Sequence, residues 1–170
     1  MKSQSLSLRS GQEEDIEEIT RVYAAHVARG NGSFEEVAPD TAEMLRRWRS
    51  RERSGHPTLI AEVDGRFSGF AYAGVYNSRS AYRFTVEDSI YVSPEFVGCG
   101  VGSALLPALI DRCISLGYRQ MIAVIGDSKN HPSVALHRRC GFRDIGTAEQ
   151  VGFKNGQWLD VVFMQRALHR

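Results

Sequence analysis

"FTVEDSIYVSPEFVGCGVGSALLPALI" (84–110) is the stretch on which the fold turns. Its opening, "FTVEDSIYV" (84–92), reads as a strand closed by Ser93-Pro94. From about Gly100 an apolar, helix-patterned run continues to Leu116, where Gly117 stops it. Pro107 inside that run predicts an irregular helix. Between strand and helix, "VGCGVGSAL" (97–105) places Gly98, Gly100 and Gly102 at alternate positions, leaving the main chain open to close approach. A glycine-rich turn feeding a helix N-terminus offers unpaired N–H groups and the positive end of a dipole, which suits phosphate. Taken alone, the glycines fit a plain flexible loop equally well.

The surrounding elements narrow the choice. Upstream, "SLSLR" (5–9) alternates as a strand, and Ile16, Ile19, Val22, Tyr23, His26 and Val27 recur at helical spacing between Glu13 and Ala28. "RGNGSFEEVAP" (29–39) is a loop, and Asp40 with Glu43 three residues on opens a second helix running to about Ser54. "TLIAEVDGRFSGFAYAGVY" (58–76) is a hairpin around Asp64-Gly65, followed by the polar connection "NSRSAYR" (77–83). Downstream, "RQMIAVIG" (119–126) has the near-continuous apolar character of a strand covered on both faces. Pro132 to Cys140 reads as a short helix, then strands at about 143–151 and 158–165 join across Asn155-Gly156. The order β-α-α-β-β-β-α-β-α-β-β predicts an α/β fold with one mixed, mostly antiparallel sheet of six to seven strands and helices on both faces. No linker or repeat marks a boundary, so residues 1–170 are expected to form a single domain.

Composition sets limits on partners. Lys+Arg 21 against Asp+Glu 20 gives a formal net charge of +1, which supplies no electrostatic argument for nucleic acid or a membrane surface. The basic run Arg46, Arg47, Arg49, Arg51 and Arg53 is broken by Glu52 and reads as a solvated helix face. Cys99, Cys113 and Cys140 form no metal spacing, and an odd count argues for reduced thiols. The opening "MKSQSLSLRS" has no apolar signal-peptide core, so a cytoplasmic protein without membrane or metal is expected.

Two glycine-loop chemistries fail on spacing. A nucleoside-triphosphate loop needs a Lys after its last glycine, and none follows here. A dinucleotide fingerprint needs glycine at position 103, which is Ser103, and an acid at the end of the next strand, which "YRQMIAVI" (118–125) lacks. A third possibility is the pyrophosphate of coenzyme A, and it is a resemblance that supports it. The ordered set "TVEDSIYVSP", the glycine turn, "AVIG", "NHPSVALHRRCGF" and "VGFKNGQWLDVVFMQ" resembles the GNAT-superfamily acetyltransferases, and within them the phosphinothricin and methionine-sulfoximine N-acetyltransferases.

The resemblance implies a set of roles. The superfamily's pyrophosphate loop, [QR]-x-x-G-x-[GA], falls on Val97, Gly98, Cys99, Gly100, Val101 and Gly102, with Ser103 following. Val97 departs from the expected Gln or Arg, which puts a side-chain contribution to coenzyme affinity in doubt, and Cys99 reads as a small filler. Ile90, Tyr91 and Val92 fall where the family splays two strands apart for the pantetheine arm, and Asn130 on the coenzyme-contacting Asn, one residue later than usual. Glu87, a charge inside a strand pattern with Val86 and Asp88 on the opposite face, falls on the general base; Asp88 is its fallback, and an edge-strand ion pair is the bland alternative. His137 stands where many members carry a thiolate-protonating Tyr, and a packing or capping role remains open. Phe34, Tyr76, Asn77, Ser78, Arg79, Arg83, Glu87, Asp88 and Ser89 are the candidates for the acceptor pocket, the arginines through forked bonds to a carboxylate. Trp158 reads as core.

The resemblance thus implies an acetyl-CoA-dependent acetyltransferase acting on the α-amine of a small amino-acid-like acceptor, working as a homodimer. A protein N-terminal acetyltransferase and a non-catalytic acyl-CoA-binding module are the rival readings.

Overall fold

The computed structural model describes residues 5–168; residues 1–4, the start of the segment read for a signal core, and residues 169–170 lie outside it. The chain runs β1 (Leu6–Ser10), α1 (Ile16–Arg29), α2 (Thr41–Arg53), β2 (Thr58–Val63), β3 (Arg66–Val75), β4 (Thr85–Val92), α3 (Val101–Ser115), β5 (Gln120–Gly126), α4 (His131–Arg139), β6 (Arg143–Lys154) and β7 (Gln157–Ala167). The strands form one sheet in the order β1-β2-β3-β4-β5-β7-β6. Every neighbouring pair is antiparallel except β4 and β5, and α3 supplies the crossover that a parallel pair requires.

The hairpin turns carry the chemistry expected of them. Asp64 and Gly65 (φ 50° and 74°), and Asn155 and Gly156 (φ 52° and 76°), hold two successive positive φ angles, the backbone that matches strand twist. At α2 the side chain of Asp40 accepts the Glu43 N–H at 2.8 Å. The reciprocal half of the expected capping box is not made, because the Glu43 carboxylate pairs with Arg46 and Arg47 instead. The basic run is largely the solvated face it resembles, except that Arg51 lies over the Tyr72 ring at 4.0 Å.

Pro107 sits inside α3 without ending it. Pro107 and Ser103 are both exposed, so the Ser103 carbonyl that Pro107 cannot serve is left to water. The other face of α3 buries Leu105, Leu106, Leu109 and Ile110 against Val86, Met121 and Ala123 of the sheet. On the opposite face, Ile16, Ile19, Val22, Tyr23 and Val27 of α1, at the spacing of one helical stripe, pack on Ile60 and Phe70.

The feature that makes a site is a gap in this sheet. β4 and β5 pair from Thr85 opposite Gln120 to Asp88 opposite Ala123. Beyond Asp88 both strands continue, β4 to Val92 and β5 to Gly126, without a ladder between them. They form the two arms of a fork.

Candidate active site

A cleft of about 380 Å³ occupies the fork. Asp88, Ser89, Ile90, Tyr91 and Val92 form one wall, Ala123 to Gly126 the other, and Asn130, Ser133, Leu136 and His137 close it from α4. On the β4 arm, the Val92 carbonyl accepts a hydrogen bond from His26 Nε2 at 2.8 Å. The Ser93 N–H goes the other way, to Ser68 on the β3 side, so the Val92 main chain faces the fork. By the alternation of an extended strand, the N–H and C=O of Ile90 share that edge. Two of the three β4 residues expected to meet the pantetheine arm therefore present main-chain groups to the cleft.

The α4 side is fixed by a buried pair. His137, 2% exposed, shares a hydrogen bond between Nε2 and Asp88 Oδ2 at 2.9 Å and donates from Nδ1 to the Ser133 carbonyl at 2.8 Å. Burial alone would lower the His137 pKa; the Asp88 carboxylate and the Ser133 carbonyl outweigh it and raise the value. Both ring nitrogens of His137 are thus engaged, one on α4 and one on β4. Its bond to Asp88 fits the packing role that the sequence left open beside the general acid.

Glu87 stands on the other face of β4, one residue before the fork opens, and does not itself line the cleft. It shares its sheet face with Ile122 on one side and with Gly74 on the other. A Cβ at Gly74 would meet nothing within 4 Å, so the face beside Glu87 is open. Glu87 forms no ion pair among the described residues, and half-burial, with the charge of Asp88 second, pushes its pKa up to about 7.

The glycine turn divides by function. Gly98 and Gly100 hold φ of 86° and 80°, backbone that favours glycine, and Gly100 caps α3 without a side-chain hydrogen bond. The N–H groups of Val101, Gly102 and Ser103 at the head of α3 find no acceptor among the described residues, which leaves them for an anion. Cys99 is different, since its N–H donates to the Phe96 carbonyl. Gly102 is bare for packing: a Cβ there would lie 3.2 Å from Leu136 on α4. Val97, 71% exposed, lies at the cleft mouth, and Asn130 lines the cleft while capping α4 through Ser133 N–H.

Several expected acceptor residues lie outside the fork, on the strand connection that leads into β4. Tyr76, Asn77, Ser78, Arg79 and Arg83 are on the β3–β4 connection, outside the cleft lining. Arg83 stacks on its neighbour Phe84 and donates to the Ser80 carbonyl; Tyr76 packs edge-on against Tyr82. Phe34 is a wedge: its ring fills the space that side chains at Gly126 and Gly152 would occupy, pinning the α1–α2 loop to β5 and β6. Trp158 is 63% exposed and packs on Phe153, because β7 turns that position away from the helices.

Two residues escaped the sequence reading. His26 had only its place in the buried stripe of α1 to mark it. Lys154, beside the Asn155-Gly156 turn, looked like an ordinary strand-end lysine, yet it is 2% exposed. Its Nζ donates to the carbonyls of Val27, Gly30 and Ser33 at 2.9, 2.8 and 2.7 Å, so it closes the end of α1 and holds the loop after it. Desolvation lowers its pKa. Lys154→Met keeps the stem but leaves these carbonyls unpaired, and should cost roughly 1–3 kcal/mol in urea denaturation.

The model of the acetyltransferase (GNAT) family matches residues 14–142, from the turn before α1 through both arms of the fork to the end of α4. The chain belongs to this family, and it is an N-acetyltransferase with the fold that the motifs implied. It is 49% identical over 163 residues to the phosphinothricin N-acetyltransferase of Alcaligenes faecalis, across 96% of this chain and 83% of that protein. It is 36% identical to the L-methionine sulfoximine/L-methionine sulfone acetyltransferase of Salmonella typhimurium, across 96% and 95% of the two chains. A phosphinothricin acetyltransferase from Sinorhizobium meliloti, solved with acetyl-CoA, superposes with a TM-score of 0.92 at 45% identity, over 95% of this chain and 88% of that one.

Proposed function

We propose that this protein acetylates the α-amine of a small amino-acid-like acceptor of the phosphinothricin, methionine sulfoximine or methionine sulfone type, with acetyl-CoA as donor and Glu87 as general base. The observation that carries this reading is a lone, half-buried carboxylate beside the fork, with a pKa of about 7 and open space next to it. The residues present fit acetyl-CoA. Free N–H groups at the head of α3 suit a pyrophosphate, and the fork edge of β4 suits the amides of a pantetheine arm. Acetyl-CoA supplies the thioester carbonyl that the amine attacks.

The chain's own residues then divide the work. Glu87 takes the proton that keeps the α-amine from attacking, on the α1 face of the sheet. The Ile90 N–H on the fork edge is placed to stabilise negative charge on the carbonyl oxygen. Asp88, tied to His137 on the opposite face, is a poor alternative to Glu87 as base. Arg79 and Arg83, on the connection entering β4 just before Glu87, are proposed to meet the acceptor's carboxylate. Residues 1–170 act as one catalytic domain, cytoplasmic and homodimeric in this reading. Exposed Val151, Phe153 and Trp158 on the last hairpin are apolar surface that a second copy would cover.

An acceptor screen that follows thiol released from acetyl-CoA tests the proposal. Methionine sulfoximine or phosphinothricin should turn over well and amines without a carboxylate poorly. Efficient acetylation of spermidine or a basic peptide, with none of amino acids, would overturn it.

A further inference from the structure

Gly74 stands alone among the 16 glycines of the chain. Eight hold a positive φ, and seven more have a neighbour within 4 Å of where a Cβ would lie; Gly74 has neither. It sits inside β3, where glycine weakens a strand through backbone entropy and a missing side chain. Glycine in such a place marks a bulge or the close approach of another group. No bulge accounts for it, since β3 pairs with β4 in unbroken register from Gly69 opposite Val92 to Val75 opposite Val86.

Gly74 lies directly opposite Glu87, on the same face of the sheet. Cβ positions paired in this way are about 5 Å apart, so the room above Gly74 adjoins the Glu87 side chain. The other flank of Glu87 is taken, because its β5 partner Ile122 is 6% exposed. On the far side of β3, the β2 ladder has ended with Thr58 opposite Tyr72, two residues short of Gly74. An amine within hydrogen-bond reach of Glu87 brings its α-carbon with it. The bare flank is the one with room for that carbon and its substituents.

We propose that Gly74 is the residue that sizes the acceptor pocket: its missing side chain is the space that receives the acceptor's α-carbon and the start of its side chain. This rests on the reading of Glu87 as the base. A side chain at this position would exclude a substituted α-carbon while leaving the coenzyme alone, since Gly74 is not part of the cleft lining. β3 is thus a weaker strand than it could be, and the pocket is wider for it.

Gly74→Ala and Gly74→Val test this by thermal melting, calorimetry with acetyl-CoA, and steady-state kinetics with methionine sulfoximine. Both variants should melt no lower than wild type, because alanine and valine suit an extended strand with room around it. The Kd for acetyl-CoA should stay within about twofold, as for sites that share no partners. In Gly74→Ala the acceptor KM should rise about tenfold with kcat little changed, the scale of one methyl group in a pocket. In Gly74→Val kcat/KM should fall about a hundredfold. Wild-type acceptor kinetics in Gly74→Val would overturn the proposal. Parallel losses of melting temperature and acetyl-CoA binding would do so too, making Gly74 a structural position. If valine prevents folding, Gly74→Ala decides alone, and an unchanged KM overturns the proposal. Glu87→Gln beside them separates the two readings. A slow Glu87→Gln with a wild-type-like Gly74→Val defeats this inference alone. Full turnover by Glu87→Gln, or none of methionine sulfoximine by the wild type, defeats the proposed function and this inference with it.

Discussion

Glu87→Gln is expected to lower kcat by about 10² to 10⁴ while leaving acetyl-CoA binding intact. An α-ammonium is largely protonated near pH 7, and only the free amine attacks a thioester. Gln preserves the shape and removes the basicity. Raising the pH should partly rescue the variant, because solution then supplies free amine. Steady-state kinetics with saturating acceptor, beside calorimetry with acetyl-CoA, separates the two effects. Asp88→Asn should cost far less in kcat, since Asp88 lies on the other face and is held by His137. Near-normal turnover of Glu87→Gln at neutral pH, with collapse of Asp88→Asn, would transfer the base to Asp88.

The raised pKa of Glu87 adds a pH signature. A base must be ionised, so wild-type kcat/KM should fall as pH drops through about 7, and this limb should be missing in Glu87→Gln. Stability should respond with the opposite sign. Folding raises the pKa of this acid, so the folded protein disfavours its charge. The penalty is absent below the ordinary carboxylate range and complete above about 7. The Gln variant should therefore melt higher than wild type at pH 8 and match it at pH 4. A group that gains activity and loses stability over the same pH interval is behaving as a base held ready by desolvation.

The path of the chain was readable because its signals are local. Two positive-φ dipeptides, Asp64-Gly65 and Asn155-Gly156, set the hairpins, and the stripe from Ile16 to Val27 set the face of α1. The face of Glu87 was readable as well, because alternation along β4 puts Val86 and Asp88 together in the α3 layer. What local patterns cannot carry is which distant group meets which. Lys154 serves carbonyls more than a hundred residues away, and nothing near it in the chain requires burial. Nothing near Phe34 in the chain shows that Gly126 and Gly152, far along the sequence, leave the slot its ring fills. The bonds of His137 to Asp88 and Ser133 likewise become apparent only once α4 is laid against β4.

The three glycines of the turn looked equivalent in sequence, and the geometry now predicts that they are not. Gly100→Val places a β-branched side chain at φ 80°, where only glycine is at ease, but in space with no neighbour within 4 Å. The variant should fold with a modest strain cost. The new side chain projects where an anion would approach the head of α3, so acetyl-CoA binding should be lost. For the wild type, a hundredfold excess of acetyl-CoA over its Kd adds about 2.7 kcal/mol of stability through linkage, and Gly100→Val should show none of it. Gly102→Ala is the contrast. Its Cβ points at the flexible tip of Leu136, 3.2 Å away, and its helical backbone tolerates alanine. That variant should pay a small packing cost and keep the full stabilisation by acetyl-CoA. Thermal melts of the three proteins with and without acetyl-CoA decide the matter. A folded Gly100→Val that retains the whole shift would move the pyrophosphate away from this turn. Loss of the shift in Gly102→Ala alone would mean that the ligand approaches from the α4 side of the helix, and that the register assigned to the loop is wrong.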